Sequence, residues 1–73
     1  MLPERQELIR ALEQLAETPH LGVRYEYPGP FHVRRLLLPR SRYHVYFSFE
    51  PENNLVKVRS VWHTARGREP LLE

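Results

Sequence analysis

Five basic residues near the carboxyl end of the chain are the strongest candidates for chemistry. They are Lys57, Arg59, His63, Arg66 and Arg68. His63 ends a predicted strand, and we expect it to form one basic strip with the others, on the side of the sheet away from the helix. Guanidinium groups bind phosphates and carboxylates through paired hydrogen bonds. The strip is therefore suited to phosphate groups or to an acidic partner segment, unless the arginines are simply solvated and His63 only ends the strand.

Cleavage of RNA is one reaction that such a strip could perform. It needs a base for the 2′-hydroxyl proton, an acid for the leaving oxygen, and cations that offset phosphate charge. His63 is the only titratable base of the tail, Arg66 and Arg68 would stabilise charge, and His44 is a second base if it faces the same side as His63. Because this set is small, the residues favour binding over catalysis, and the question of an enzyme stays open.

Metal and cofactor sites find no support in the sequence. The four histidines, His20, His32, His44 and His63, lack metal-ligand spacing, and the chain has no cysteine. Its three glycines form no phosphate-binding loop. We therefore expect no metal and no cofactor.

Length and charge narrow the class of protein. The 73 residues are enough for one domain, with a small core near the limit for folding alone. Residues 1–33 carry three Arg and five Glu, a net charge of −2, whereas residues 34–73 carry seven Arg and one Lys against four Glu, a net charge of +4. No apolar run has the length of a membrane span, and no signal peptide follows Met1. We expect a soluble, cytoplasmic protein. Its basic half is either a partner-binding surface or a solvated face of the sheet, and net charge alone favours the solvated face.

Hydrophobic periodicity predicts an α+β fold, in which one N-terminal helix packs on a three- to four-stranded antiparallel meander. The helix is expected over about residues 4–17, a short arm or edge strand near Val23, and strands over 31–38, 43–49 and 55–63. The helix stripe is Leu8, Leu12 and Leu15, widened by Ile9, Ala11 and Ala16. Its predicted partners on the sheet are Tyr43, Val45, Phe47, Phe49, Val56, Val58 and Trp62. After His63 we expect an irregular tail in which Leu71 and Leu72 fold back on apolar surface.

The order of these segments resembles the RelE/ParE family of bacterial toxin–antitoxin toxins. The resemblance rests on RQELIRALEQLAETPHLG as a helix and its exit, RRLLLPRSRYHVYFSF as strand, bend and strand, and VRSVWHTARGREP as last strand and tail. It covers nearly the whole chain, 1–73, as one toxin domain. Family members begin with a further strand and helix before the segment seen here, so the resemblance implies an N-terminally shortened chain. It is either a naturally short or degenerate member, or a chain whose start was placed too far downstream or which was trimmed.

The resemblance implies a function in toxin–antitoxin systems. ParE-like members poison DNA gyrase by binding it, and RelE-like members cut messenger RNA on the ribosome. The sparse set of bases makes the ParE-like function the main expectation, with a cognate antitoxin as partner. The ribosome-dependent nuclease is the alternative. A third possibility is an inactive remnant that self-associates as a homo-oligomer.

Overall fold

The computed structural model describes residues 3–30 and 32–72 and shows one helix and one four-stranded antiparallel sheet. The helix α1 spans Arg5–Glu17, and the strands are β1 (Val23–Tyr25), β2 (Val33–Leu38), β3 (Tyr43–Glu50) and β4 (Leu55–His63). The strands pair in chain order, β1-β2-β3-β4, so the sheet is a meander. The predicted α+β class is thus confirmed. Phe31, where β2 was expected to begin, lies outside the described residues.

Local sequence explains where α1 begins and ends. The carboxylate of Glu4 accepts the backbone N–H groups of Gln6 and Glu7 at 2.9 and 3.1 Å, which satisfies two amides that have no partner inside the helix. At the other end Thr18 is the cap residue, and Pro19 cannot continue the helix. The observed helix ends at the predicted residue and begins one residue later than predicted.

A second acidic side chain fixes the helix to the sheet. The carboxylate of Glu7 accepts the backbone N–H groups of Arg40 and Ser41, at 2.7 and 2.9 Å, in the turn between β2 and β3. Burial acts to raise the pKa of Glu7, but these hydrogen bonds and the charge of Arg40 together hold the pKa below its usual value. The first turn of α1 is therefore held over the β2–β3 turn.

A β-bulge in β4 decides which side chains face the helix. Tyr46 pairs with Ser60 and Phe47 pairs with Val58, so Arg59 is an extra residue between two paired positions. Such an insertion reverses the alternation of side chains beyond it. Val61, opposite Val45, therefore faces α1. Trp62 lies opposite His44 and faces the other way.

The two faces of the sheet carry separate apolar clusters. The larger lies under α1 and contains Ala11, Leu15, Leu38, Tyr43, Val45 and Phe47, with Leu8, Leu21, Leu36, Val56 and Val61 at its margin. The smaller lies on the opposite face, which we call the outer face. It contains Val33, Tyr46 and Leu72, with Tyr25, Tyr27 and Trp62 packed against it.

Two features of the predicted core are wrong. Ala11 and Leu15 are buried, but Ile9 and Leu12 are each 38% exposed, because a single sheet layer covers only one side of α1. Trp62 does not pack under α1, because the bulge moves it to the outer face. Val58 keeps the predicted orientation but is largely exposed on the edge strand β4.

Within residues 3–30 and 32–72, no helix has both the length and the apolar character needed to cross a lipid bilayer.

Candidate functional site

The segment after β4 folds back across the outer face. We call residues 64–72 the tail. The indole N–H of Trp62 donates to the backbone carbonyl of Arg68 at 2.9 Å. Further along, the Leu72 side chain is only 4% exposed and packs with Val33 and Tyr46, whereas Leu71 is 90% exposed. The prediction that apolar residues at the end of the tail fold back is thus confirmed for Leu72 alone.

A hydrogen bond between a tyrosine and a carboxylate joins the tail to β1, at the opposite edge of the sheet from β4. The hydroxyl of Tyr25 on β1 donates a hydrogen bond to the carboxylate of Glu69. Burial, followed by this hydrogen bond and the Glu69 charge, raises the pKa of Tyr25 to about 12. The tail therefore crosses from β4 to β1, and residues far apart in sequence meet under it.

Three arginines are placed on aromatic rings of this face. The guanidinium carbon of Arg66 lies 4.4 Å from the centre of the Trp62 ring, and that of Arg68 lies 5.8 Å from the same ring. Arg35 on β2 lies 5.5 Å from the centre of the Tyr25 ring. Contacts of this kind hold a guanidinium group without using its N–H donors.

These groups line a concavity of about 280 Å³, which we call the basic concavity. Its charged and titratable lining consists of Arg35, His44, His63, Arg66, Arg68 and Glu69, and its aromatic walls are Tyr46 and Trp62. With both histidines neutral, three positive charges face one negative charge, a net of +2. The lining of the basic concavity is therefore electropositive and chemically suited to anions.

His44 lies inside the basic concavity. It is opposite Trp62 in the sheet, and its ring is 6.0 Å from that of Tyr46, centre to centre. Burial, followed by the positive charge of Arg35, lowers the pKa of His44 below its usual value. His44 is therefore neutral at pH 7 and keeps a lone pair.

His63 faces α1, and the prediction that it lies on the side away from the helix is wrong. Because of the bulge, its partner in the sheet is Tyr43, and the two rings meet edge to face with centres 4.8 Å apart. His63 nevertheless remains among the residues that line the basic concavity. Its Nδ1 accepts the backbone N–H of Ala65 at 3.0 Å, so in the neutral ring the proton is on Nε2. This histidine has no free lone pair with which to act as a base.

The remaining predicted site residues, Lys57 and Arg59, are on the outer face but nearer the β3–β4 turn. Lys57 forms a 3.0 Å ion pair with Glu50, and its hydrogen bond to that carboxylate lowers the pKa of Glu50. Arg59 donates from Nε to the Ser48 hydroxyl at 3.0 Å. These two cations continue the basic surface but do not line the basic concavity.

Sequence reasoning missed Arg35 as a site residue and mentioned His44 only in connection with His63. In the strand pattern Arg35 looks like an ordinary solvated residue of β2, and the path of the tail brings it into the site. The pairing of His44 with Trp62 depends on the bulge in β4, and the pairing of Arg35 with Tyr46 depends on the register between β2 and β3.

Within the part of the chain that the structure describes, no group of three or more histidine or acidic side chains is arranged to hold a metal ion. Searches against protein-family models, curated proteins and solved structures found no match to this chain. The resemblance to RelE/ParE toxins accordingly stays a prediction from the sequence, and the basic concavity under the tail is the feature on which a function can be argued.

Proposed function

We propose that this chain is a toxin of a type II toxin–antitoxin system that acts by binding, with DNA gyrase as its target and a cognate antitoxin as its inhibitor. The observation that supports it best is the basic concavity, in which Arg35, Arg66 and Arg68 converge. Among the described residues, none of the three forms a salt bridge to a carboxylate. Their hydrogen-bond donors are available to a partner.

Such a surface suits an acidic protein segment. The two arginines of the tail are held in place by Trp62, so binding a carboxylate costs less side-chain freedom than at a mobile arginine. Lys57 and Arg59 extend the positive surface toward the β3–β4 turn. Opposite charges across an interface speed encounter and select partners. Both gyrase and antitoxin would use this face in the proposed function, which operates in the bacterial cytoplasm.

The orientation of His63 favours binding over RNA cleavage. A nuclease built on His63, Arg66 and Arg68 needs the imidazole as a base beside the arginines. The ring is instead turned toward Tyr43, and its Nδ1 is occupied by a backbone N–H. This orientation supports binding and counts against His63 as the base of a nuclease.

A ribosome-dependent nuclease remains the second candidate because of His44. This histidine is in the basic concavity, and its lowered pKa keeps it neutral next to Arg35. A neutral imidazole among cations is suited to accept a 2′-hydroxyl proton. In this version of the alternative, His44 replaces His63, while Arg66 and Arg68 offset the phosphate charge.

Two purified assays separate the candidates. We expect the chain to inhibit DNA supercoiling by gyrase and to leave messenger RNA intact on translating ribosomes. Cleaved message with unaffected gyrase would overturn the proposal in favour of the nuclease. In that case His44→Asn should abolish cleavage, and His32→Asn, a change outside the basic concavity, should not. A folded chain with neither activity would leave the inactive remnant as the explanation.

A further inference from the structure

We propose that the basic concavity is a binding site for a phosphoryl dianion, the group carried by inorganic phosphate and by phosphate monoesters. Arg35 lines it from β2, and Arg66 and Arg68 line it from the tail. This inference goes beyond the toxin function and does not depend on it, because anion binding is a property of the isolated chain.

The burial of Arg35 is the first reason. The side chain of Arg35 lies on an inner strand of the sheet, where it is half-buried and its guanidinium group lies over the face of the Tyr25 ring. A guanidinium group that loses water without gaining an acceptor is unfavourable. An anion in the basic concavity would supply that acceptor.

The second reason is that Glu69, among the described residues, is hydrogen-bonded to Tyr25 and not to an arginine of the basic concavity. Of the side chains that line the basic concavity, it is the one carboxylate, and it accepts the hydrogen bond of the Tyr25 hydroxyl. It is also absent from the salt bridges of the described residues. The tail therefore directs its own negative charge toward β1 and leaves the arginines to an external ligand.

The arrangement of the arginines is the third reason. Arg66 rests on Trp62 at 4.4 Å, and stacking of this kind leaves the edge of the guanidinium plane available for bidentate hydrogen bonds. A tetrahedral phosphoryl group offers three terminal oxygens, which can be shared among three guanidinium groups. A carboxylate has only two oxygens.

Charge and size favour a dianion. The net charge of the lining is +2, which a phosphate monoester at pH 7.5 neutralises and a carboxylate or a phosphodiester does not. The 280 Å³ of the basic concavity corresponds to about nine water volumes, enough for a phosphoryl group with part of its hydration shell.

Nuclear magnetic resonance titration of the ¹⁵N,¹³C-labelled chain tests this site. Inorganic phosphate is added at pH 7.5 and constant ionic strength, followed in separate samples by acetate, dimethyl phosphate, ribose 5-phosphate and a nucleoside 5′-monophosphate. We expect saturable shifts at Arg35, His44 and Trp62 with phosphate and both monoesters, and at least about tenfold weaker binding of acetate and dimethyl phosphate. Tighter binding of the nucleotide than of ribose 5-phosphate would assign the ligand to nucleotides, and equal binding to the phosphoryl group alone.

Saturation should also raise the pKa of His44, because a bound dianion offsets the charge of Arg35. The titratable and charged groups that line the basic concavity with this histidine are Arg35 from β2, Tyr46 from β3, His63 from β4, and Arg66, Arg68 and Glu69 from the tail. Arg35→Gln should weaken phosphate binding at least about tenfold, and Arg10→Gln, which removes the same charge from α1, should not. If Arg35→Gln fails to fold, Arg66→Gln carries the same expectation. Equal binding of acetate or dimethyl phosphate, or unchanged binding in a folded variant of the basic concavity, would overturn the inference.

Discussion

Removal of the Leu72 side chain tests whether the tail is held on the outer face by apolar packing. Leu72 and Leu71 are adjacent leucines with opposite environments, 4% and 90% exposed. Leu72→Ala therefore deletes a buried contact with Val33 and Tyr46, and Leu71→Ala deletes none. The two variants have the same composition, which makes each the matched control of the other.

The magnitude follows from the burial of Leu72. Truncation of a buried leucine to alanine costs about 2–5 kcal/mol of unfolding free energy. We expect the lower end, about 2 kcal/mol, because the tail lies near the end of the chain and can shift to fill part of the space. In a domain of this size each kcal/mol changes Tm by about 4–8 °C, so Tm should fall by about 8–16 °C. Leu71→Ala should change the unfolding free energy by less than about 0.5 kcal/mol.

Thermal unfolding followed by circular dichroism measures these differences. Trp62 is the single tryptophan of the chain, and its indole N–H is bonded to the tail, so its fluorescence reports tail release separately. We expect a red shift of the emission in Leu72→Ala below the unfolding transition, and no shift in Leu71→Ala. Equal stability of the two variants, with unchanged emission, would refute the packing of the tail.

Three further results are expected. Glu69→Gln should lower the pKa of Tyr25 from about 12 toward its usual 10, which an ultraviolet absorbance titration measures. In the native chain, the stability that accompanies the raised pKa of Tyr25 is complete below pH 10 and is lost as the pH rises toward 12. Gly22→Ala should lower the free energy of unfolding in urea by about 2 kcal/mol or more, because the φ of Gly22 is +79° and an added Cβ would lie 2.3 Å from a β2 carbonyl oxygen. The control Gly67→Ala, whose added Cβ would have no atom within 4 Å, should lower it by less than about 0.5 kcal/mol. His44→Asn should reduce the loss of stability as the pH falls below 6.5, because in the native chain the unfolded state takes up a proton on this histidine at a higher pH than the folded state does.

The secondary structure was predictable because local signals agree with the global fold. Glu4 and Pro19 mark the ends of α1, and alternation of apolar residues marks β3. The polar turn before β4 forms a 3₁₀ turn at Pro51–Asn53, and Asn54 takes the left-handed conformation that asparagine tolerates. Each of these features is encoded within a few residues.

The faces of β4 beyond Arg59 were not predictable, because one inserted residue reverses the direction of every side chain that follows it. A strict period of two from Val56 places Trp62 under α1 and His63 on the outer face. The bulge at Arg59 exchanges them. No residue in this stretch has a sequence signal for a bulge, such as glycine. The exchange is stabilised by tertiary contacts, since Trp62 gains the tail and His63 gains Tyr43.

The site residues of the tail were predictable from the sequence, but Arg35 of β2 was not. Arg66 and Arg68 were identified from their position after the last strand, and they do lie on the outer face. Arg35 comes from β2, and it joins them only because the tail crosses β3 and β2 to reach β1. A contact over such a sequence separation depends on the whole topology.

Growth of bacteria that express the chain is the most direct test of a toxin that acts through its basic outer face. The double variant Arg66→Ala with Arg68→Ala should keep the fold, since two exposed cation–π contacts are worth about 0.5–1 kcal/mol each. We predict that the native chain and the charge-matched control Arg5→Ala with Arg10→Ala arrest growth, and that the double variant of the tail does not. Growth arrest by the folded double variant, at the same protein level as the native chain, would contradict the proposed function.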